Sequence, residues 1–248
     1  MNQNLKIDKQ LVDILTNFEK SGTIFIKGNR NKIKLFSYNN LTINIKAFKV
    51  PNFFNKIIYK YFRDSKAKRS YNFANILIKK GIGTPMPIAF YEEFSFFGLE
   101  KSFYVSEHLE FDLMFRDLVD NDNYPNYKVI IKQFAEFCFR LHQNGIEFLD
   151  HSPGNTLIKK VGNDEYSFYL VDLNRMKFHD EMSFETRIKN LSRLTSKKKM
   201  AEEIAIEYAV ASGENEIIVF DSIWKYTSEF QYKFYRKKRI KKRLKFWS

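Results

Sequence analysis

The sequence predicts an α+β protein whose first half is rich in strands and whose second half is helical. In the first half, short runs of apolar residues alternate with polar ones at the period of a β-strand. After Glu107 the apolar residues recur at helical spacing instead. Because the strands and helices are segregated along the 248 residues, we predict two unlike lobes.

The first half is predicted to form a mostly antiparallel sheet with a packed helix. Its predicted elements are, in order, a short helix at 5–18, strands at 23–27, 32–38 and 41–48, helices at 53–62 and 65–80, and strands at 88–91 and 102–107. In the strand at 41–48 the alternation places Lys46 on the more polar face. These elements form the predicted N-lobe, residues 1–106.

The second half is predicted to be a helical C-lobe, residues 107–232, followed by a basic tail at 233–248. Its predicted elements are a helix at 127–142, a loop at 148–155, an apolar run at 156–158, a strand at 166–171, and helical segments within 184–211 and 217–234. The first of these helices carries a clear apolar stripe and ends at an Asn-Gly pair.

Composition favours an anionic partner. The chain has 42 Lys and Arg residues against 29 acidic ones, a formal net charge of +13. Nucleic acid, a phosphorylated glycolipid or an acidic membrane surface would each suit this charge. Cys138 is the single cysteine, so an internal disulfide is impossible and a reducing compartment is expected. The start of the chain is a poor signal peptide, and no apolar run is long enough to span a bilayer, so we expect a cytoplasmic protein.

Two segments carry the residues of a candidate reaction centre. The first reads LHQNGIEFLDHSPGNTLI and places Asp150 five residues before Asn155 in a loop between a helix and a strand. The second reads YLVDLN and places Asp172 at the end of a strand. Carboxylate and amide oxygens are the ligands that Mg²⁺ prefers, and a carboxylate on a rigid loop can orient a hydroxyl and accept its proton.

These segments resemble the catalytic loop and the Asp-Phe-Gly motif of the protein-kinase-like fold, in which the interval from Asp to Asn is the same. The resemblance implies that Asp150 is the base, and that Asn155 and Asp172 hold Mg²⁺ (or Mn²⁺) on ATP. It also implies that Lys46 holds the nucleotide phosphates, with Lys49 as the alternative.

The sequence departs from the protein-kinase pattern in the predicted N-lobe. Gly28 is the sole glycine of the first strand pair, so the turn at 29–32 is a degenerate counterpart of the glycine-rich loop. The helix at 65–80 contains no Glu to pair with Lys46, and Asn72 occupies a plausible position instead. The polar partner of Lys46 therefore stays unidentified from the sequence.

Within that fold the chain resembles the lipopolysaccharide-core kinases, which phosphorylate Kdo or heptose. The resemblance is carried by 65–92, 150–158 and 170–178. It implies an ATP-dependent phosphotransferase acting on a sugar hydroxyl of a lipid A–core glycolipid. Aminoglycoside and choline kinases share the Asp-to-Asn loop, so another small-molecule kinase or a Ser/Thr protein kinase is an alternative. A catalytically inactive basic adaptor is the alternative from a different class.

Further residues are candidates for contacts with the acceptor or the membrane. His151 and Arg175, beside the two motifs, are candidate substrate contacts. Residues 233–248 hold nine Lys and Arg and no acid, which suits an anionic membrane and equally a nucleic acid, although we expect no nucleic acid. The wide apolar face at 53–62 indicates either a core helix or a second membrane contact. We therefore expect peripheral attachment to the inner face of the cytoplasmic membrane.

Overall fold

The computed structural model describes residues 8–27 and 31–245, with the backbone alone for Lys27 and 243–245. The described chain divides into two compact units. Unit 1 comprises the chain up to Glu110 together with the segment Asp172–Arg175, and unit 2 comprises Phe111–Val171 and the chain from Met176 onward. Asp172 and the three residues after it therefore belong to the same unit as Lys46.

Unit 1 is a five-stranded antiparallel sheet with three helices. Its elements are α1 (Lys9–Thr16), β1 (Thr23–Lys27), β2 (Asn31–Tyr38), β3 (Leu41–Phe48), α2 (Phe53–Tyr61), α3 (Lys66–Lys79), β4 (Pro87–Ser95) and β5 (Gly98–Glu107). The strand order is β1-β2-β3-β5-β4. Ile43, Ile45 and Val105 are fully buried, and Leu11 and Leu15 of α1 join the same core. Burial of these apolar side chains is the main stabilising contribution to the unit.

A tight turn fixes the register of β3. Asn39 and Asn40, between β2 and β3, both have positive φ angles (48° and 62°), which asparagine tolerates better than most residues. With this turn in place, Lys46 pairs with Ile33 on one side and with Tyr104 on the other. Since side chains alternate along a strand, burial of Ile45 in the core leaves Lys46 on the opposite face.

The two longer helices of unit 1 differ in burial. α3 begins at an N-cap, the Ser65 hydroxyl, which accepts a hydrogen bond from the Lys68 backbone N–H at 3.1 Å. Its inner face of Ala67, Ala74 and Leu77 is fully buried. In contrast, α2 has no buried residue at all. The sequence left open whether 53–62 is core, and the structure shows an exposed helix.

Unit 2 is built mainly of helices. Its elements are β6 (Leu113–Met114), α4 (Phe115–Asp120), α5 (Tyr127–Gln143), β7 (Ile146–Phe148), a single 3-10 turn (Pro153–Asn155), β8 (Thr156–Gly162), β9 (Glu165–Leu170), β10 (Met176–Phe178), α6 (Phe184–Leu191), α7 (Lys198–Ser212) and α8 (Glu216–Lys245). β6, β8 and β9 form one antiparallel sheet, and β7 and β10 form another. On α5, Phe134 stacks on Phe115 with ring centroids 4.0 Å apart.

The sequence-based expectations need three corrections. The first helix is described only as Lys9–Thr16, and residues 5–7 lie outside the described residues. The helical segment 184–211 is two helices, because α6 ends at Leu191 and α7 begins at Lys198. The segment 217–234 and the basic tail form one helix, α8, that continues to Lys245. Within the described chain no helix is long and apolar enough to cross a membrane.

Candidate active site

The loop that carries Asp150 and Asn155 is closed by hydrogen bonds within unit 2. After β7 the backbone turns sharply, and the Ser152 N–H donates to the Asp150 carbonyl oxygen at 2.7 Å. The Asn155 side-chain amide nitrogen donates to the same oxygen at 2.8 Å. This bond occupies the Asn155 –NH₂ group and leaves its amide oxygen for another partner, and an amide oxygen is a suitable ligand for a hard cation.

Arg193, which sequence reasoning missed, is the cation beside Asp150. Its Nη1 lies 3.6 Å from the Asp150 carboxylate and donates to the Leu149 carbonyl oxygen at 2.7 Å. The guanidinium also stacks over the Phe230 ring of α8, 4.7 Å from the centroid. Arg193 therefore braces the loop and offsets part of the charge of Asp150. No motif in the sequence marks it, because it follows α6, more than forty residues after the loop.

His151 is completely buried in unit 2 and packs against the rings of Phe134 and Phe148. Burial lowers its pKa to about 4, and the Asn190 side chain only partly opposes this effect. Burial likewise lowers the pKa of His142 to about 3. Both rings are therefore neutral near pH 7. Because the ring of His151 is sealed from solvent, its position favours a structural role over the substrate contact that the sequence suggested.

Burial of His151 predicts acid sensitivity of the fold. Below pH 6.5 the unfolded chain takes up a proton that the buried ring refuses, so the free energy of unfolding falls by about 1.4 kcal/mol per pH unit until the folded pKa is reached. His151→Leu should remove this pH dependence. Between pH 7 and pH 5 its free energy of unfolding should therefore fall by ~2 kcal/mol less than that of the wild type. Urea unfolding at the two pH values measures it, with partly exposed His108→Gln as the control. Equal losses of unfolding free energy in the wild type and in His151→Leu would contradict the conclusion that buried His151 causes the acid sensitivity.

In unit 1, Lys46 forms an ion pair with Asp172. Lys46 Nζ lies 2.8 Å from Asp172 Oδ1, and the Asn174 side-chain nitrogen donates to the same oxygen at 2.6 Å. The Lys46 side chain is only 12% exposed, whereas Lys49 is exposed beyond the end of β3. The ion pair supplies the partner of Lys46 that the sequence left unidentified. It brings together two of the predicted site residues.

Asp172 is held in an unusual backbone conformation. Its φ angle is +59°, in the left-handed region that few residues other than Gly and Asn adopt readily. The contacts to Lys46 and Asn174 fix its side chain in this conformation. Strained backbone at such a position is typical of functional sites.

The first turns of α3 present basic residues. Lys66 and Arg69 are three residues apart and so lie on one face of the helix, and both are partly buried. The pKa of Lys66 is lowered mainly by burial and secondly by the charge of Arg175. Burial, and secondly the charge of Arg63, lower that of Arg69. Among the described residues, neither these two nor Arg175 forms an ion pair. We call Lys66, Arg69 and Arg175 the basic cluster.

A sequence model of the lipopolysaccharide kinase (Kdo/WaaP) family matches residues 29–211. The match spans three quarters of the chain and includes Lys46, Asp150, Asn155 and Asp172. The chain belongs to the lipopolysaccharide kinase (Kdo/WaaP) family. As a member of this family it is a kinase, and the family resemblance noted in the sequence is confirmed.

The structural comparison agrees with the family match. The chain is similar to a solved structure described as "WaaP in complex with acyl carrier protein", with 15% sequence identity and a TM-score of 0.59. The similarity covers 89% of this chain and 90% of that one. At this identity it shows the fold, and it confirms the predicted α+β kinase-like fold class of this Kdo/WaaP family member. No curated protein sequence matches the chain.

The oxygen donors of this Kdo/WaaP family member suit Mg²⁺. Oδ1 of Asp172 accepts from Lys46 and Asn174, while Oδ2 accepts no hydrogen bond from the described residues. The described chain contains no cluster of three or more acidic, His or Cys residues that would cage a metal by itself. Mg²⁺ is usually bound by one or two carboxylates and completed by waters and substrate phosphates. The donors present therefore fit a nucleotide-borne cation.

The predicted counterpart of the glycine-rich loop, residues 29–32, is only partly described. Residues 29–30 lie outside the described residues, and 31–32 are the first residues of β2. The family match begins at residue 29, so the turn is included in it.

Proposed function

We propose that this kinase transfers the γ-phosphate of ATP to a hydroxyl of Kdo or heptose in the inner core of lipopolysaccharide. The observation that carries the proposal is the Lys46–Asp172 ion pair, 2.8 Å long, in a chain of the Kdo/WaaP family. A phosphate-binding lysine beside a metal-binding carboxylate is what phosphoryl transfer from a nucleotide requires.

Each residue of the proposed site has a distinct task. Asp150 orients the acceptor hydroxyl and accepts its proton as the bond to phosphorus forms. Lys46 binds the nucleotide phosphates, and the ion pair keeps its ammonium group positioned for them. Asn155 and Asp172 would hold Mg²⁺ or Mn²⁺, which supplies positive charge to the phosphate oxygens when bound. Arg193 holds the backbone next to Asp150 through Leu149.

The basic cluster suits the anionic part of the acceptor. Kdo carries a carboxylate and lipid A carries phosphates, and unpaired guanidinium groups bind both kinds of group with two hydrogen bonds. Partial burial of Lys66 and Arg69 strengthens their attraction for an anion, because fewer water molecules compete with it, whereas Arg175 is exposed. We therefore propose that Arg175, with Lys66 and Arg69, binds an oxyanion of the glycolipid.

Arg175→Gln combined with Lys66→Gln should raise KM for the glycolipid by about tenfold or more, because two charge-assisted contacts are lost. The KM for ATP should change much less. Lys79→Gln, at the exposed end of α3, is the matched control. Steady-state kinetics with each substrate varied in turn measure both constants. An increase confined to the KM for ATP would assign the basic cluster to the nucleotide instead.

The acceptor class is tested by offering one set of acceptors to the purified protein with radiolabelled ATP and Mg²⁺. The proposal expects phosphate transfer to Kdo–lipid A and none to aminoglycosides, choline or a protein substrate. Transfer to one of the other acceptors alone would assign the chain to another kinase class. Failure to turn over ATP with any of them would favour an inactive adaptor.

We also propose that α8 attaches the kinase to the inner face of the cytoplasmic membrane. The family match ends at residue 211, and α8 extends well beyond it to Lys245. Residues 233–242 are exposed throughout. Each basic residue near an anionic leaflet contributes ~1 kcal/mol within the screening length, so the nine basic residues at 233–245 should bind it strongly.

Removing the chain after Tyr232 should abolish most co-sedimentation with phosphatidylglycerol vesicles at low salt. A milder test replaces Lys237, Lys238 and Arg239 with Gln, which should weaken binding by about a hundredfold, since ~3 kcal/mol of attraction is removed. The matched control replaces Lys197, Lys198 and Lys199, which are equally exposed. Undiminished binding after truncation would refute the role of this helix.

A further inference from the structure

α2 and the β4–β5 turn form one exposed aromatic surface in unit 1. The rings of Phe53 on α2 and Phe97 in the turn lie 6.4 Å apart, and Phe96 contacts Phe97 at 5.4 Å. The side chains of this surface are largely exposed: Phe53 55%, Phe54 76%, Tyr61 66%, Phe62 82%, Phe96 88% and Phe97 59%. We call these six residues the aromatic surface. The sequence pointed to α2 only, and the turn is added by the fold.

Polar contacts hold the two parts together. Lys56 of α2 forms an ion pair of 2.5 Å with Glu100 of β5. The Lys60 ammonium donates to the carbonyl oxygens of Ser95 and Phe96, each at 3.2 Å. Gly98 has a φ angle of +118°, and a side chain there would collide with the carbonyl of Lys56. These contacts therefore hold α2 and the β4–β5 turn in a fixed position relative to each other.

Charge is distributed unevenly around the aromatic surface. Residues 53–63 include no acidic residue, and of their three basic residues Lys56 is paired with Glu100, whereas Lys60 and Arg63 form no ion pair with the described residues. Residues 94–99 carry no charge. Soluble monomers rarely expose so many contiguous aromatic rings, and such patches mark interaction sites. Exposed aromatic rings bordered by basic side chains are typical of segments that lie in the headgroup region of a bilayer.

We propose that the aromatic surface inserts into the headgroup region of an anionic bilayer, with the β4–β5 turn entering first. A second copy of the chain is a poorer occupant, because a symmetric contact would place the basic residues of both α2 helices together. An anionic lipid surface complements those charges instead. The proposal rests on the proposed function only in that a lipid-anchored acceptor requires the kinase to work at a membrane.

Vesicle binding tests the proposal with the full chain. Phe96→Ser with Phe97→Ser should weaken co-sedimentation with phosphatidylglycerol vesicles by about tenfold or more, equivalent to ~1.4 kcal/mol. Val161→Ser with Val210→Ser is the matched control, because these residues are 54% and 75% exposed on unit 2 and lie outside α8. Binding should be unchanged in the control. Equal binding of wild type and the Phe96/Phe97 variant would overturn the proposal.

A site-specific label reports where the turn lies. Cys138 is buried and is the sole cysteine, so an environment-sensitive fluorophore will react with a newly introduced surface cysteine. The label on Phe96→Cys should shift to the blue when phosphatidylglycerol vesicles are added, and the label on Val210→Cys, an exposed position of α7, should not. An unshifted Phe96→Cys label overturns the proposal. The proposal would also be overturned if the wild type were a dimer and the Phe96/Phe97 variant a monomer. The aromatic surface would then be a contact with a second copy of the chain.

Vesicle binding and the fluorescence shift do not require catalysis. Both measurements can therefore be interpreted even if the proposed function is wrong. Conversely, the Phe96/Phe97 variant should phosphorylate a detergent-dispersed acceptor at the wild-type rate. Loss of that activity in a variant with wild-type vesicle binding would overturn the insertion proposal and place the turn at the reaction site.

Discussion

Asp150→Asn should lower phosphate transfer by at least about a hundredfold, because the variant has no carboxylate to orient the acceptor hydroxyl and accept its proton. Asparagine has nearly the same shape, and the hydrogen bond from Asn155 goes to the backbone carbonyl of residue 150. The loop should therefore keep its conformation. ATP binding should stay close to the wild-type value, so the loss should fall on kcat. Rapid-quench transfer assays and calorimetric titration with a non-hydrolysable ATP analogue separate the two effects.

The control for this variant is Asp221→Asn, which removes one exposed carboxylate from α8 without touching the loop. Its transfer rate should equal that of the wild type. A wild-type rate in Asp150→Asn would show that another group accepts the proton, and the assignment of the loop would be wrong.

Lys46→Ala and Asp172→Asn should each remove most of the Mg²⁺-dependent binding of ATP. Asn is chosen at position 172 because it tolerates the positive φ angle of +59°, so the charge is removed while the backbone is kept. Lys49→Ala is the matched control for the lysine, because Lys49 lies three residues further on and is exposed. Calorimetric titration with and without EDTA measures the dependence on Mg²⁺.

The two variants should also be coupled. Since Lys46 and Asp172 contact each other directly, the double variant should lose less binding than the sum of the single losses. Wild-type ATP affinity in Asp172→Asn that is still lost when EDTA is added would assign the metal to other residues. Wild-type affinity in Lys46→Ala together with reduced affinity in Lys49→Ala would move the phosphate contact to Lys49.

The sequence was sufficient where the signal is local. The alternation in β3 predicted a strand with Lys46 on its polar face, and the structure has that strand with the predicted bounds, Leu41–Phe48. The spacing of Asp150 and Asn155 predicted a loop before a strand, and both residues lie between β7 and β8. Each inference needed only a window of a few residues.

The features that sequence reasoning missed depend on contacts between distant segments. The partner of Lys46 is Asp172, which belongs to unit 1 although the chain on either side of Asp172–Arg175 belongs to unit 2. Arg193 reaches Asp150 from beyond α6, and no residue near either one predicts that contact. Phe96 and Phe97 join α2 only because the β4–β5 turn folds against it.

The basic tail was misread for a different reason. A run of charged residues at 233–245 was interpreted as a separate arm, although Lys and Arg are good helix formers. The run simply continues α8 as one helix of 30 residues. Charge density carried no information about where the helix ends.

Mass spectrometry of lipid A–core from cells with and without this protein tests the central claim most directly. The account predicts that the glycolipid from cells with the protein carries one more phosphate, on an inner-core sugar, and that cells with Asp150→Asn resemble cells without the protein. Identical glycolipid from all three would contradict it.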